Sequence, residues 1–238
     1  MAQVINTNVS ALFAGAALNK SNLALQTAMQ RLSSGLRINS AKDDPTGLVT
    51  ATTYDSQVRG TNVAIRGAND AISVAQTNDG YAGQVIENLQ RLYEIAVQAG
   101  GTASGVEATA LIAENARIAG KTTAATAVVV DGVGTLLTGK SAVLAAPTGS
   151  TVAAITTDLS TVTTARANYG ADMATFGSAI ATMQTASVNL SAAYSRIMDT
   201  DYATETTAMT RNQILQQAGT AMLAQANQVP NMVLTLLK

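Results

Sequence analysis

Apolar residues in the C-terminal half recur at alternating steps of three and four: Val152, Ile155, Leu159, Val162, Tyr169, Met173, Phe176, Ile180, Met183, Leu190, Tyr194 and Ile197. Arg166 and Ser187 occupy the same register. This spacing keeps one stripe on one side of a helix and matches a coiled-coil seam. At about 1.5 Å per residue the predicted helix spans roughly 70 Å. A second seam is predicted through Val58, Ile65, Ala68, Ile72, Ala75, Ala82, Ile86, Leu89, Tyr93 and Ala96, with Thr61 and Asp79 as polar interruptions. The two helices can pair antiparallel, because the segment between them is long enough to return the chain. A shorter helix around Val106 to Ile118 would fill the side of the pair.

Start and stop signals frame these elements. Asp44 before Pro45 reads as an N-cap followed by proline at the first helical position, and Gly100 with Gly101 ends the second seam. Gly35 ends a preceding helix in the same way. Ser150 is the expected start signal of the C-terminal seam, and Asp199 or Asp201 separates it from a last helix. Across residues 121–150 the composition turns to Thr, Val and Gly. Val128-Val129-Val130, the turn signal Asp131-Gly132, Leu136-Leu137 and Val143-Leu144 predict one or two β-hairpins.

The two ends are dense in Ala, Gln, Asn and Leu, with a small-residue, amide-rich character and helical spacing of apolar positions. Small residues let helices approach closely, and amides such as Gln213, Gln216 and Gln225 hydrogen-bond across an interface without burying charge. Segments 31–44 (RLSSGLRINSAKDD) and 213–230 (QILQQAGTAMLAQANQVP) closely resemble bacterial flagellin, and the resemblance fades across residues 121–150. The fold expected is mainly α: a long antiparallel coiled-coil rod with a small β-hairpin region, its terminal helices pairing N- with C-terminus. Three parts follow: residues 1–43 and 200–238 as the two halves of an inner, channel-lining helical domain, and 44–199 as the core. About thirty residues at 121–150 cannot build the outer domains that many flagellins insert there.

The resemblance implies a structural subunit that self-assembles into a helical filament for motility, exported by the flagellar type III apparatus without a cleaved signal peptide. It implies an export chaperone on the C-terminal segment, a filament cap and junction proteins as partners. Candidate self-assembly residues are Leu12, Leu25, Leu32, Ile214, Leu215, Ala218, Leu223, Gln225, Val229 and Leu236. Gln90, Arg91, Ile95 and Glu114 resemble the patch that Toll-like receptor 5 reads on many flagellins, although Tyr93 stands where arginine is common. From the residues alone, this is a solvated helix face packing on the next subunit. Short, small-residue helices are marginal in water, so the ends are expected to fold on assembly. The rival readings are a hook-filament junction protein and a monomeric secreted coiled-coil binding module with more charged, ordered ends.

Composition supports an assembly and argues against chemistry. Aromatic residues are 3% of the chain and charged residues 12%, too few for a large independent core or a well-solvated lone surface. Basic residues number 14 and are scattered, which excludes a nucleic-acid footprint. No apolar run suits a membrane span, and no basic-then-apolar N-terminal pattern suits a cleaved signal. The chain has no His and no Cys. It therefore lacks the commonest general base, the commonest zinc ligand and every thiol nucleophile, and no catalytic, cofactor or metal residues are expected. Asp199 and Asp201 read as helix caps rather than cation ligands.

Overall fold

The computed structural model describes residues 7–124, 128–129, 136–137, 139 and 142–236; side chains are described as far as residue 228, except in the short strands. The described elements are α1 (Val9–Ser34), α2 (Pro45–Gln98), α3 (Val106–Ala119), β1 (Val128–Val129), β2 (Leu136–Leu137), α4 (Val152–Met198) and α5 (Tyr202–Leu236). β1 and β2 pair antiparallel, with Val128 opposite Leu137. This is the expected hairpin; Val130 and the Asp131-Gly132 turn lie outside the described residues, and Val143-Leu144 are not part of a strand. The chain forms two compact units, one of Tyr54–Ala192 and one of Met1–Thr53 with Ala193–Lys238.

In the unit Tyr54–Ala192, α2 and α4 run antiparallel. Asp79 meets Arg166 at 2.8 Å, Ala64, Ala68 and Ala71 pack with Phe176, Ala179 and Met183, and Thr102 bridges to Thr151, so numbers rise along α2 as they fall along α4. The α4 seam follows the sequence pattern at Ile155, Val162, Tyr169, Phe176 and Met183, one heptad apart and all buried, but between them Asp172 and Ala179 are buried while the expected Met173 and Ile180 are half-buried beside them. On α2 half of the expected seam is displaced by one residue. Thr61, Ala68, Ala75, Ala82, Leu89 and Ala96 are buried as expected, but the alternate positions are Ala64, Ala71, Asn78, Val85 and Leu92. Ile65, Ile72 and Ile86 flank the seam half-buried, and Tyr93 is 41% exposed. The physical reason is complementarity: opposite the large Phe176 and Met183, alanine admits a closer helix approach than isoleucine.

Close to the other end of this unit, α3 lays Ala108, Asn115, Ile118 and Ala119 onto the same core, joined by Ala103 and Leu144. Asn78 fastens the chain after α3, donating from Nδ2 to the Thr123 carbonyl at 2.6 Å and accepting from the Thr123 N–H at 3.3 Å. Thr122 Oγ1 accepts from the Leu144 N–H at 2.9 Å, and the Tyr169 hydroxyl donates to the Ala142 carbonyl at 3.1 Å. Burial raises the Tyr169 hydroxyl above its ordinary pKa, with the Asp79 charge adding to the effect. Both roots of the segment between α3 and α4 are therefore held by side chains of the helical core. The start of α4 is capped by Thr151, whose Oγ1 accepts from the Ala154 N–H at 3.3 Å, one residue after the expected Ser150.

In the other unit, α1 and α5 lie against each other, and Ile38, Ala51 and Met198 form a small core. Asp44 caps α2 as expected: its Oδ1 accepts from the N–H groups of Thr46 and Gly47 at 3.1 and 2.9 Å. Asp201 does the same for α5, accepting from Ala203 N–H at 2.9 Å and from the Thr204 hydroxyl at 2.8 Å. The Thr204 hydroxyl and these N–H donors hold the Asp201 carboxyl below the ordinary carboxylate range.

Candidate functional site

The terminal helix pair gathers most of the sequence-predicted site residues. On α1 the positions turned to α5 are Ala11, Ala14, Leu18, Asn22, Leu25, Ala28 and Leu32, of which only Ala28 is fully buried. On α5 the less exposed positions are Glu205, Ala208, Asn212, Gln216, Gly219, Leu223 and Ala226. A Cβ on Gly219 would stand 3.3 Å from Leu18 Cδ1, so the two backbones approach closely there. At the end of the pair near the linkers, Arg31 faces Glu205 at 3.7 Å.

Two devices tie the pair at its ends. Gly35 stops α1 in the left-handed region at φ 71°, where its N–H still donates to the Arg31 carbonyl. The chain on either side then pairs with the start of the α4–α5 link: Arg37 N–H donates to the Met198 carbonyl at 2.6 Å and Thr200 N–H to the Gly35 carbonyl at 3.0 Å. At the far end, Asn8 does two jobs. Its Oδ1 accepts from the Ala11 N–H at 3.1 Å and caps α1, while its Nδ2 donates to the Ala226 carbonyl at 2.8 Å. That carbonyl lies four residues before Pro230, which has no N–H to return to it. The Asn8 amide thus fills the acceptor that the proline leaves open in α5. Sequence reasoning missed this contact, although counting four back from Pro230 would have marked Ala226.

The predicted self-assembly residues separate into two groups. Leu25, Leu32 and Leu223 are half-buried within the pair. Leu12 (66% exposed), Ile214 (59%), Leu215, Ala218 and Gln225 face outward. Val229 and Leu236 lie where side chains are not described. Outward residues not singled out from sequence include Phe13, 78% exposed, and Met222, 63% exposed. Phe13 and Met222 line a groove of about 800 Å³ along the helix pair with Val9, Leu18, Leu215 and Ala218. That groove is apolar, and none of its lining side chains carries charge, so it is suited to cover by other apolar side chains and not to acid–base chemistry.

The second predicted patch spans α2 and α3. Gln90 and Arg91 are exposed on α2, while Ile95 is half-buried against the core. Arg91 pairs with Glu107 at 2.9 Å and Glu94 at 3.0 Å, and these hydrogen bonds raise its pKa. Glu114 instead takes Arg117, 2.7 Å from its Nε, which lowers the carboxyl. Arg91 and Glu114 are therefore on adjoining helices but engaged with different partners. Among the described residues, no group of three acidic, His or Cys side chains could hold a metal ion, and no helix is long and apolar enough to cross a membrane.

Comparison with known proteins bears on the same two ends. Residues 5–123 match the bacterial flagellin N-terminal helical region, and residues 152–237 match the bacterial flagellin C-terminal helical region. A flagellin of Xenorhabdus nematophila is 36% identical over 313 aligned positions, covering all of both chains. The flagellar filament 33 kDa core protein of Treponema phagedenis is 35% identical, covering 99% of this chain and 100% of that one. A flagellin of Salmonella muenchen is 51% identical over 115 residues, 48% of this chain and 23% of the longer one.

Proposed function

Since this chain belongs to the bacterial flagellin family and is a structural subunit of the flagellar filament rather than an enzyme, we propose that the outward apolar face of α1 and α5 is the contact by which copies join. The observation that carries this reading is the exposure of Leu12, Phe13, Ile214, Leu215 and Met222 along a helix pair whose own seam is thin. Leu12, Ile214, Leu215, Ala218 and Gln225 would meet neighbouring copies. Leu25, Leu32 and Leu223 would first close the pair within a copy, and Val229 with Leu236 would extend the contact. A repeated contact that does not close into a ring propagates as a helical filament.

In this reading residues 1–43 and 200–238 line the inner channel and 44–199 form the shell around it. The terminal pair gains most of its burial from neighbours, so it folds fully only on assembly. Export through the flagellar type III apparatus without a cleaved signal, an export chaperone on the exposed C-terminal helix, and cap and junction proteins at the filament ends complete the proposal. Gln90, Arg91, Ile95 and Glu114 are the proposed Toll-like receptor 5 patch, supported by their sharing of the adjoining helices α2 and α3.

Seeded elongation followed by electron microscopy tests the assembly face. The double variant Leu12→Gln with Ile214→Gln is expected to keep the helicity of the free subunit and to lose elongation from wild-type seeds. Elongation at the wild-type rate would overturn the proposed face. For the receptor patch, Arg91→Ala should reduce signalling in receptor-expressing cells, and an unchanged response to the wild-type and variant subunits would remove Arg91 from it.

A further inference from the structure

The groove along α1 and α5 contains one oxidisable side chain. Met222 stands 63% exposed on its rim, beside Leu215 and across from Phe13 and Leu18. The helices beneath are close, since Gly219, one turn earlier on α5, already lies near Leu18 with little room for a Cβ. The thioether therefore cannot retreat into the seam. The chain contains no Cys, which leaves thioethers as its only sulfur. Met183 and Met198, at 2% and 6% exposure, are enclosed by their own clusters, and Met29, at 45%, is exposed but lies outside the groove.

Resting on the reading that this groove is covered in the filament, we propose that Met222 is a peroxide-sensitive modification site whose oxidation stops a free subunit from joining, and that joining then shields it. A lone pair on the Met222 sulfur attacks one oxygen of hydrogen peroxide. An S–O bond forms as the O–O bond breaks, the sulfur loses two electrons, and the departing oxygen leaves as water after proton transfer. The product is a polar, chiral sulfoxide in place of a flexible apolar side chain. A sulfoxide oxygen brought into an apolar contact has no donor among the groove's side chains except the hydroxyls of Ser10 and Ser21 and the amide of Gln225. Cover by a second copy would bury it at a cost. The same cover would exclude peroxide from Met222 in a finished filament, so damaged subunits are rejected before addition while assembled ones are protected.

The full-length subunit is treated with limiting hydrogen peroxide, its methionine sulfoxides are mapped by peptide mass spectrometry, and elongation from filament seeds is compared before and after treatment. Met222 is expected to oxidise well before Met183 and Met198. Elongation should fall about fivefold or more as Met222 sulfoxide accumulates, and methionine sulfoxide reductases with a thiol reductant should restore it. In Met222→Leu, a swap of similar volume, the ratio of treated to untreated elongation should stay near one whatever the variant's own rate. In Met29→Leu that ratio should fall as in the wild type. Preformed filaments should show Met222 protected. Unchanged elongation with Met222 fully oxidised, or a Met222→Leu subunit as sensitive as the wild type, would overturn the proposal. Failure of untreated wild-type subunit to elongate would instead refute the filament reading itself.

Discussion

The unit Tyr54–Ala192 encloses Tyr169 and Phe176 completely, each against small residues of α2, whereas α1, 26 residues long, fully buries only Ala28 and leaves Phe13 78% exposed. Alanine is abundant in both regions, so composition does not explain the contrast. In the first, the small Ala64, Ala68 and Ala71 of α2 share a cluster with the large Phe176 and Met183 of α4, and the seam is buried within one chain. In the second, Leu18, Leu25, Leu32 and Leu223 are only half-buried, and Leu12, Phe13, Ile214 and Met222 point away. A region that hides its bulk is finished alone, and a region that displays it is finished by neighbours.

The contrast can be broken most sharply at Phe176. Phe176→Ala should cost about 3–5 kcal/mol in the unit Tyr54–Ala192, read as a lower denaturation midpoint of the full chain; a loss below 1 kcal/mol would mean that the seam is not the source of its stability. Asn78→Ala is next. It removes a buried side chain and both of its hydrogen bonds to the Thr123 backbone and should cost about 1–3 kcal/mol, together with faster amide exchange at Thr123 and around Leu144. Leu25→Ala tests the other region, and here roughly 1 kcal/mol or less is expected in the free subunit, because the side chain is only half-buried. A loss as large as that of Phe176→Ala would abolish the distinction.

The smallest effect concerns the cap of α5. The folded Asp201 carboxyl is depressed below its ordinary value near 3.8. Its contribution is therefore fully present above that value and is lost as pH falls from about 4 through the lowered folded value. Amide exchange in the first turn of α5 should accelerate over that window. In Asp201→Asn, which still caps but does not ionise, the acceleration should vanish. Equal pH dependence in both proteins would assign the effect to another group.

Much of this was legible in the sequence. The heptad run from Ile155 to Met183, the Asp44-Pro45 and Gly35 signals and the hairpin at Val128 and Leu136 all recur in the structure. What was misjudged was half of each seam: on α2 Ile65, Ile72 and Ile86 drew attention by size while Ala64, Ala71 and Val85 were buried, and on α4 Met173 and Ile180 drew it while Asp172 and Ala179 were buried. Hydrophobicity ranks residues one at a time, but the spacing between helices is a property of the facing pair. On α1, Leu18, Leu25 and Leu32 stand one heptad apart, and that stripe, which the sequence reading did not use, separates Leu25, turned inward, from Leu12, turned out. The Asn8 contact needed a different kind of reading, in which a proline is taken as a missing donor and its acceptor is sought elsewhere.

The amide of Asn8 and the carbonyl of Ala226 are 218 positions apart. At ordinary elongation rates a ribosome needs roughly ten to forty seconds to cover that distance. Throughout that interval the first helix made has no mate, and no rearrangement of the residues already synthesised can supply one. Synthesis therefore sets the earliest moment at which the two ends can meet, and the arrival of neighbouring copies, later still, sets when they settle.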